Sequence, residues 1–83
     1  MATVTIYTTA WCPYCVRAKQ LLDTKQVEYT EINVSETDAR AKMTSLTGGT
    51  TVPQIVINQQ PTGGCDELYE LERSSELDKM LAQ

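Results

Sequence analysis

Trp11-Cys12-Pro13-Tyr14-Cys15 stands between two stretches of different hydrophobic period. Before it, Thr3–Thr8 alternates Val4 and Ile6 with threonines, a strand pattern rich in β-branched residues. After it, Val16, Ala18, Leu21 and Leu22 supply the apolar side of a helix running to about Thr24. Proline is tolerated at the first helical position, where a missing N–H costs nothing. Pro13 therefore opens the helix and Cys12 falls at its N-cap.

Working outward, Val27–Val34 predicts a second strand through Val27, Tyr29, Ile32 and Val34. Ser35 or Thr37 suits the cap of a second helix, with Met43 and Leu46 inward and Gly48 and Gly49 ending it. Gln54–Ile57 predicts a third strand, Asn58–Gln60 a turn, and Pro61–Thr62 a short edge strand. Asp66–Glu72 and Glu76–Leu81 predict two closing helices, the latter capped by Ser74 or Ser75. This order implies an α/β sheet covered by helices, with a parallel βαβ unit at its start. The 83 residues suit one domain over residues 1–83.

Three cysteines, two of them three residues apart, cannot form the framework of a secreted mini-protein. They suit thiols kept reduced in a cytosol. Ala2–Tyr7 has neither the basic run nor the apolar stretch of a signal peptide. Nothing approaches the ~20 apolar residues of a membrane span. A cytoplasmic location without a membrane partner is therefore expected. The net charge of −4 disfavours nucleic acid as a partner. Its distribution is uneven: residues 1–26 hold three bases against one acid, net +2, and the remainder four against ten, net −6. The chain has no histidine, which excludes a Ser–His–Asp triad, a Cys–His pair and a histidine-ligated metal.

Any activation of a thiol must therefore come from the backbone. A sulfur at an N-cap can accept first-turn N–H groups at the positive end of the helix dipole, and both effects favour the thiolate. That assigns Cys12 as nucleophile. Cys15, three residues on, neighbours it on the helix and suits a buried partner that closes a disulfide. Structural or zinc-ligating cysteines are the plainer reading, but zinc usually takes four ligands and only Cys65 remains to help. No metal is expected.

Two further segments point to a ligand. Thr51-Val52-Pro53 precedes an apolar strand; proline there can be cis, and an extended peptide can pair with Val52 as an added strand. By itself this is also an ordinary strand entry. Gly63-Gly64-Cys65-Asp66 lets a ligand approach the backbone, with the N–H groups of Cys65 and Asp66 available to a carboxylate and Asp66 to an ammonium group. The alternative is a glycine turn with Asp66 as a cap. Cys65 reads as a small residue lining the turn.

Cys12-Pro13-Tyr14-Cys15, Thr51-Val52-Pro53 and Gly63-Gly64-Cys65-Asp66, in this order, resemble the glutaredoxin family, and the Cys-Pro-Tyr-Cys form resembles its dithiol members of compact bacterial type. The resemblance covers nearly the whole chain. It implies a thioredoxin-like fold, a four-stranded mixed sheet flanked by helices, with a cis peptide before Pro53. It implies glutathione as co-substrate, no permanently bound cofactor, and glutathionylated or disulfide-containing proteins as partners of a monomer. Tyr14 would flank the tripeptide, Val52 would pair with its cysteinyl backbone, Gly64, Cys65 and Asp66 would hold its γ-glutamyl end, and Thr51 and Pro53 would complete the binding residues. Thr9 stands where many members carry a lysine for the glycine carboxylate, leaving Arg40 or Lys19 to compensate; Glu67 stands where aspartate is common. Two other readings stay open: a module holding an iron–sulfur cluster through Cys12 and glutathione, and a thioredoxin-like reductant served by a flavoprotein reductase.

Overall fold

The structure, a computed structural model, describes residues 2–82; the outermost residues of the expected 1–83 domain lie outside the described ones. Four strands, β1 (Val4–Thr8), β2 (Thr30–Asn33), β3 (Gln54–Ile57) and β4 (Gln60–Gly63), form one sheet in the order β2-β1-β3-β4. β2 pairs parallel with β1, whereas β3 and β4 run antiparallel to their neighbours, so the sheet is mixed. Helices α1 (Pro13–Thr24), α2 (Thr37–Thr47), α3 (Cys65–Arg73) and α4 (Glu76–Leu81) complete the chain.

Strand alternation sorts the core into two layers. Val4 and Ile6 on β1 sit opposite Ile57 and Ile55 on β3. They bury with Ala18, Leu21 and Leu22 of α1, Leu68 of α3 and Leu77 of α4. The other face packs Tyr7, Val34 and Met43, with Ala39, Val52 and Val56 beside them. Three helices thus cover one face and α2 the other. Each fully buried Leu or Ile contributes about 1.5–3 kcal/mol. Lys25, just past α1, pairs with both Glu72 and Asp78 and ties three helices together.

Several expectations needed correction. β2 is shorter than Val27–Val34 because only Thr30–Asn33 align with β1; Val27 and Tyr29 pack against the core from a connector. Val34 still donates its N–H to Thr8 O at 2.8 Å. Val16 and Leu46 are exposed rather than inward. The inward stripe of α1 runs through Cys15, Ala18 and Leu22, at helical spacing, and leaves Val16 one residue off it. Leu46 lies off the side of α2 that Met43 presents to the sheet. Glu36, not Ser35 or Thr37, takes the cap position of α2, without a side-chain bond. Gly48 ends that helix in the left-handed region. The turn is a two-residue one, Asn58–Gln59, both left-handed, so Gln60 belongs to β4. Ser75 is the cap of α4, but its side chain makes no capping bond.

Candidate active site

The Cys-x-x-Cys segment begins where β1 ends, at the carboxyl end of the parallel pair. Trp11 lies in the left-handed region at φ +63° with its indole almost wholly in solvent, an unusual backbone for a bulky residue. Cys12 follows at the N-cap of α1 in extended conformation, and its Sγ accepts the Cys15 backbone N–H at 3.2 Å. The expected cap geometry is present. The Cys12 thiol also faces Val52 O at 4.0 Å, which links α1 to the segment before β3.

Cys12 is half-buried, Cys15 is buried, and neither is in a disulfide. Burial, reinforced by the Cys12 sulfur that shares its hydrogen bond, pushes the Cys15 thiol up to about 12. The pair therefore consists of a reachable sulfur and a sheltered, protonated one. Cys65 is also buried, and desolvation raises its thiol above the usual range while Arg17 opposes the shift.

The two other segments converge beside this pair. Val52–Pro53 is a cis peptide bond, and the loop is held by the Gln54 side chain, which donates to Thr51 O at 3.0 Å. Gly64 caps α3, so the helix starts at Cys65, one residue before the expected Asp66, and Asp66 is not its cap. The first-turn amides of Cys65 and Asp66 have no intrahelical carbonyl to bind. Glu67 Oε1 accepts the Gly64 N–H at 3.0 Å and braces the turn. Tyr14, Thr51, Val52, Pro53, Gly64, Cys65, Asp66 and Glu67 line one groove of about 330 Å³. All seven expected ligand-side residues are thus brought together, and Glu67 joins them.

A second groove, of about 450 Å³, opens on the other side of Cys12. Thr9, Trp11, Cys15, Lys19, Glu31 and Asn33 are among its walls. Lys19 Nζ lies 3.0 Å from Glu31 Oε2, which also accepts the Thr8 hydroxyl at 2.7 Å. Those contacts, the Thr8 bond foremost, hold the Glu31 carboxyl below its usual range. Sequence reading missed Glu31 and Thr8, because nothing local relates them to the cysteines. It also offered Lys19 as a substitute for a lysine at Thr9, and the two residues line this same groove, with the Lys19 ammonium paired to Glu31. Arg40 donates to Thr50 O from Nε at 3.2 Å and Nη2 at 3.1 Å, next to the Thr51–Pro53 loop. The positive bias of residues 1–26 is largely cancelled, since Lys19 and Lys25 are both paired with acids. A larger hollow of about 510 Å³ at the far end of β1, bounded by Thr3, Gln26, Tyr29 and Leu81, has no cysteine in its walls.

This arrangement, an accessible sulfur at a helix start with a buried thiol behind it and a groove alongside, suits thiol–disulfide exchange. Comparison with known proteins agrees. The glutaredoxin family profile matches residues 4–61. A glutaredoxin of Pseudomonas aeruginosa is 52% identical over 83 residues, covering 99% of each chain. The solution structure of a glutaredoxin from Brucella melitensis superposes with a TM-score of 0.86 at 48% identity, covering 98% of this chain and 89% of that one. A buckwheat glutaredoxin–glutathione complex superposes with a TM-score of 0.86 at 32% identity, covering 95% of this chain and 76% of that one. The mixed four-stranded sheet is the thioredoxin-like fold of those neighbours. With its Cys-Pro-Tyr-Cys turn on that scaffold and close relatives along almost its full length, the chain belongs to the glutaredoxin family of thiol–disulfide oxidoreductases.

Proposed function

We propose that this protein, acting as a single-domain monomer in the cytoplasm, uses glutathione to reduce protein–glutathione mixed disulfides and protein disulfides. The observation that carries the reading is the groove joining Tyr14, Thr51–Pro53 and Gly64–Asp66 beside Cys12. Its two ends suit a tripeptide: a backbone segment at Val52 for strand-like pairing, and free helix amides with Asp66 for a zwitterionic end. A relative of the same fold is known as a complex with glutathione, which supports the assignment. Cys12, Cys15 and the seven groove residues are the proposed site. Neither a metal nor a permanently bound cofactor has a part in it.

In this reading the Cys12 thiolate attacks the glutathionyl sulfur of a mixed disulfide. The protein thiolate leaves and takes up a proton, and Cys12 becomes glutathionylated. A second glutathione, as thiolate, attacks the glutathionyl sulfur, giving oxidised glutathione and restoring Cys12. With a protein disulfide, Cys12 first bonds to one substrate sulfur. Cys15 then attacks Cys12, expels the substrate as a dithiol and leaves the Cys12–Cys15 disulfide for two glutathiones to reduce.

Two variants test this. Cys12→Ser should lose both activities. Cys15→Ser should keep the reduction of glutathionylated protein and lose most reduction of protein disulfides. Retained activity in Cys12→Ser, or wild-type turnover with a thioredoxin reductase in place of glutathione, would overturn the proposal.

A further inference from the structure

The seven proposed ligand residues line one groove beside Cys12, and none of them lines the other, which holds Thr9 and Lys19. The second groove brings a lysine and a glutamate to walls that also hold both Cys12 and Cys15. Cys15 and Lys19 are one helical turn apart on α1, neighbouring positions on the helix surface, and both line it. Glu31 reaches across from β2 to hold the Lys19 ammonium at 3.0 Å, and the buried Thr8 hydroxyl fixes the same carboxylate oxygen. The ammonium is thereby anchored on the wall it shares with Cys15.

The resolving thiol needs such a charge. Burial, the largest cause of its raised position, disfavours the Cys15 thiolate at neutral pH. The groups acting on Cys15 are the Cys12 sulfur and the Lys19 ammonium on α1 and the Thr9 backbone at the end of β1. Glu31 on β2 and Tyr29, whose hydroxyl donates to Asp23 at 3.1 Å, lie behind Lys19. Burial and Cys12 oppose the thiolate, whereas Thr9 and Lys19 favour it. Once Cys12 is tied to a substrate sulfur its hydrogen bond no longer acts on Cys15, burial remains, and Lys19 is the one side-chain charge that favours the thiolate.

We propose that Lys19, anchored by Glu31 and Thr8, is the charge that activates Cys15 for the resolving attack, with Glu31 and Thr8 as positioning residues. The proposal rests on the reading of Cys15 as the resolving thiol. In that step Cys15 gives its proton to groove water, its sulfur bonds to Cys12 Sγ, and the bond from Cys12 to the substrate sulfur breaks. The substrate leaves as a thiolate and takes up a proton; the two cysteines are oxidised to a disulfide and the substrate sulfur is reduced.

Rapid mixing of the reduced protein with one equivalent of dithiobis-nitrobenzoate separates the steps. Attack by Cys12 releases one thionitrobenzoate at a rate that depends on concentration, and attack by Cys15 releases the second at a rate that does not. Cys15→Ser should lose the second phase; if it keeps that phase, the resolving role itself is wrong. In Lys19→Gln the second phase should slow about threefold relative to the first, the lost thiolate being offset in part by the higher nucleophilicity of a more basic sulfur. Its pH profile should move to higher pH, and Lys19→Arg should restore both rate and profile. A wild-type ratio and profile in Lys19→Gln, with the second phase absent from Cys15→Ser, would overturn the Lys19 proposal alone.

Discussion

Gly64 lies directly against Pro53: a Cβ built at position 64 would come within 3.1 Å of the Pro53 carbonyl oxygen. This contact sets the width of the groove, because it joins the turn before α3 to the segment before β3. The backbone at Gly64 is extended, at φ −98°, so the constraint is closeness of approach and not the left-handed region.

Gly64→Ala should therefore fold but push the turn away from Val52–Pro53. The expected result is a KM for glutathionylated substrate raised about fivefold, a loss of roughly 1 kcal/mol in binding. Steady-state kinetics at saturating glutathione check this. An unchanged KM would separate the groove from substrate binding.

Cys15 makes stability depend on alkaline pH. Its folded thiol stands at about 12 against an ordinary value of 9.0, so between those values the unfolded chain loses a proton that the folded protein keeps. Stability is then fully present below about 9 and falls as pH rises toward about 12. Urea unfolding of the reduced protein should show this decline, and it should be shallower in Cys15→Ser. Parallel curves for the two proteins would contradict the shift.

Met43 and Leu46 sit three residues apart on α2 with opposite fates: Met43 is fully buried and Leu46 is 60% exposed. Met43→Ala should cost about 2–5 kcal/mol through lost packing. Leu46→Ala should stay within about 0.5 kcal/mol of the parent. Thermal unfolding distinguishes them, since each 1 kcal/mol moves Tm by about 4–8 °C in a domain of this size. Equal losses would place Leu46 inward after all.

Gln59 occupies the second position of the β3–β4 turn at φ +68°, where glycine is preferred. Its neighbour Asn58 is anchored: its side chain accepts the Thr3 N–H and donates to Met80 O, both at 3.0 Å. Gln59→Gly should accordingly stabilise the protein by about 0.5–1 kcal/mol, the left-handed cost less the extra entropy of an unfolded glycine. A lower Tm in Gln59→Gly would refute this reading of the turn.

What local chemistry dictates was legible in the chain itself. Pro13 opening α1, Cys12 at its cap, the alternation of Val4 and Ile6, and the two glycines before α3 each depend on neighbours a few residues away. Their consequences follow from backbone geometry and side-chain period. The three ligand segments could be named for the same reason, and they do meet in one groove.

Tertiary structure decided whatever depends on residues far apart in the chain. Where β2 begins was settled by how many residues align with β1, and the inward side of α2 by where the sheet lies. The Thr8–Glu31–Lys19 cluster exists because parallel pairing sets Thr8 beside Asn33 and Ile6 beside Glu31, bringing the β2 carboxylate to the helix that carries Cys15. Charge counted along the chain suggested a positive first segment, yet packing paired Lys19 and Lys25 with acids from later elements. Electrostatic and packing energies fall off with distance in space, which a linear order of residues does not contain.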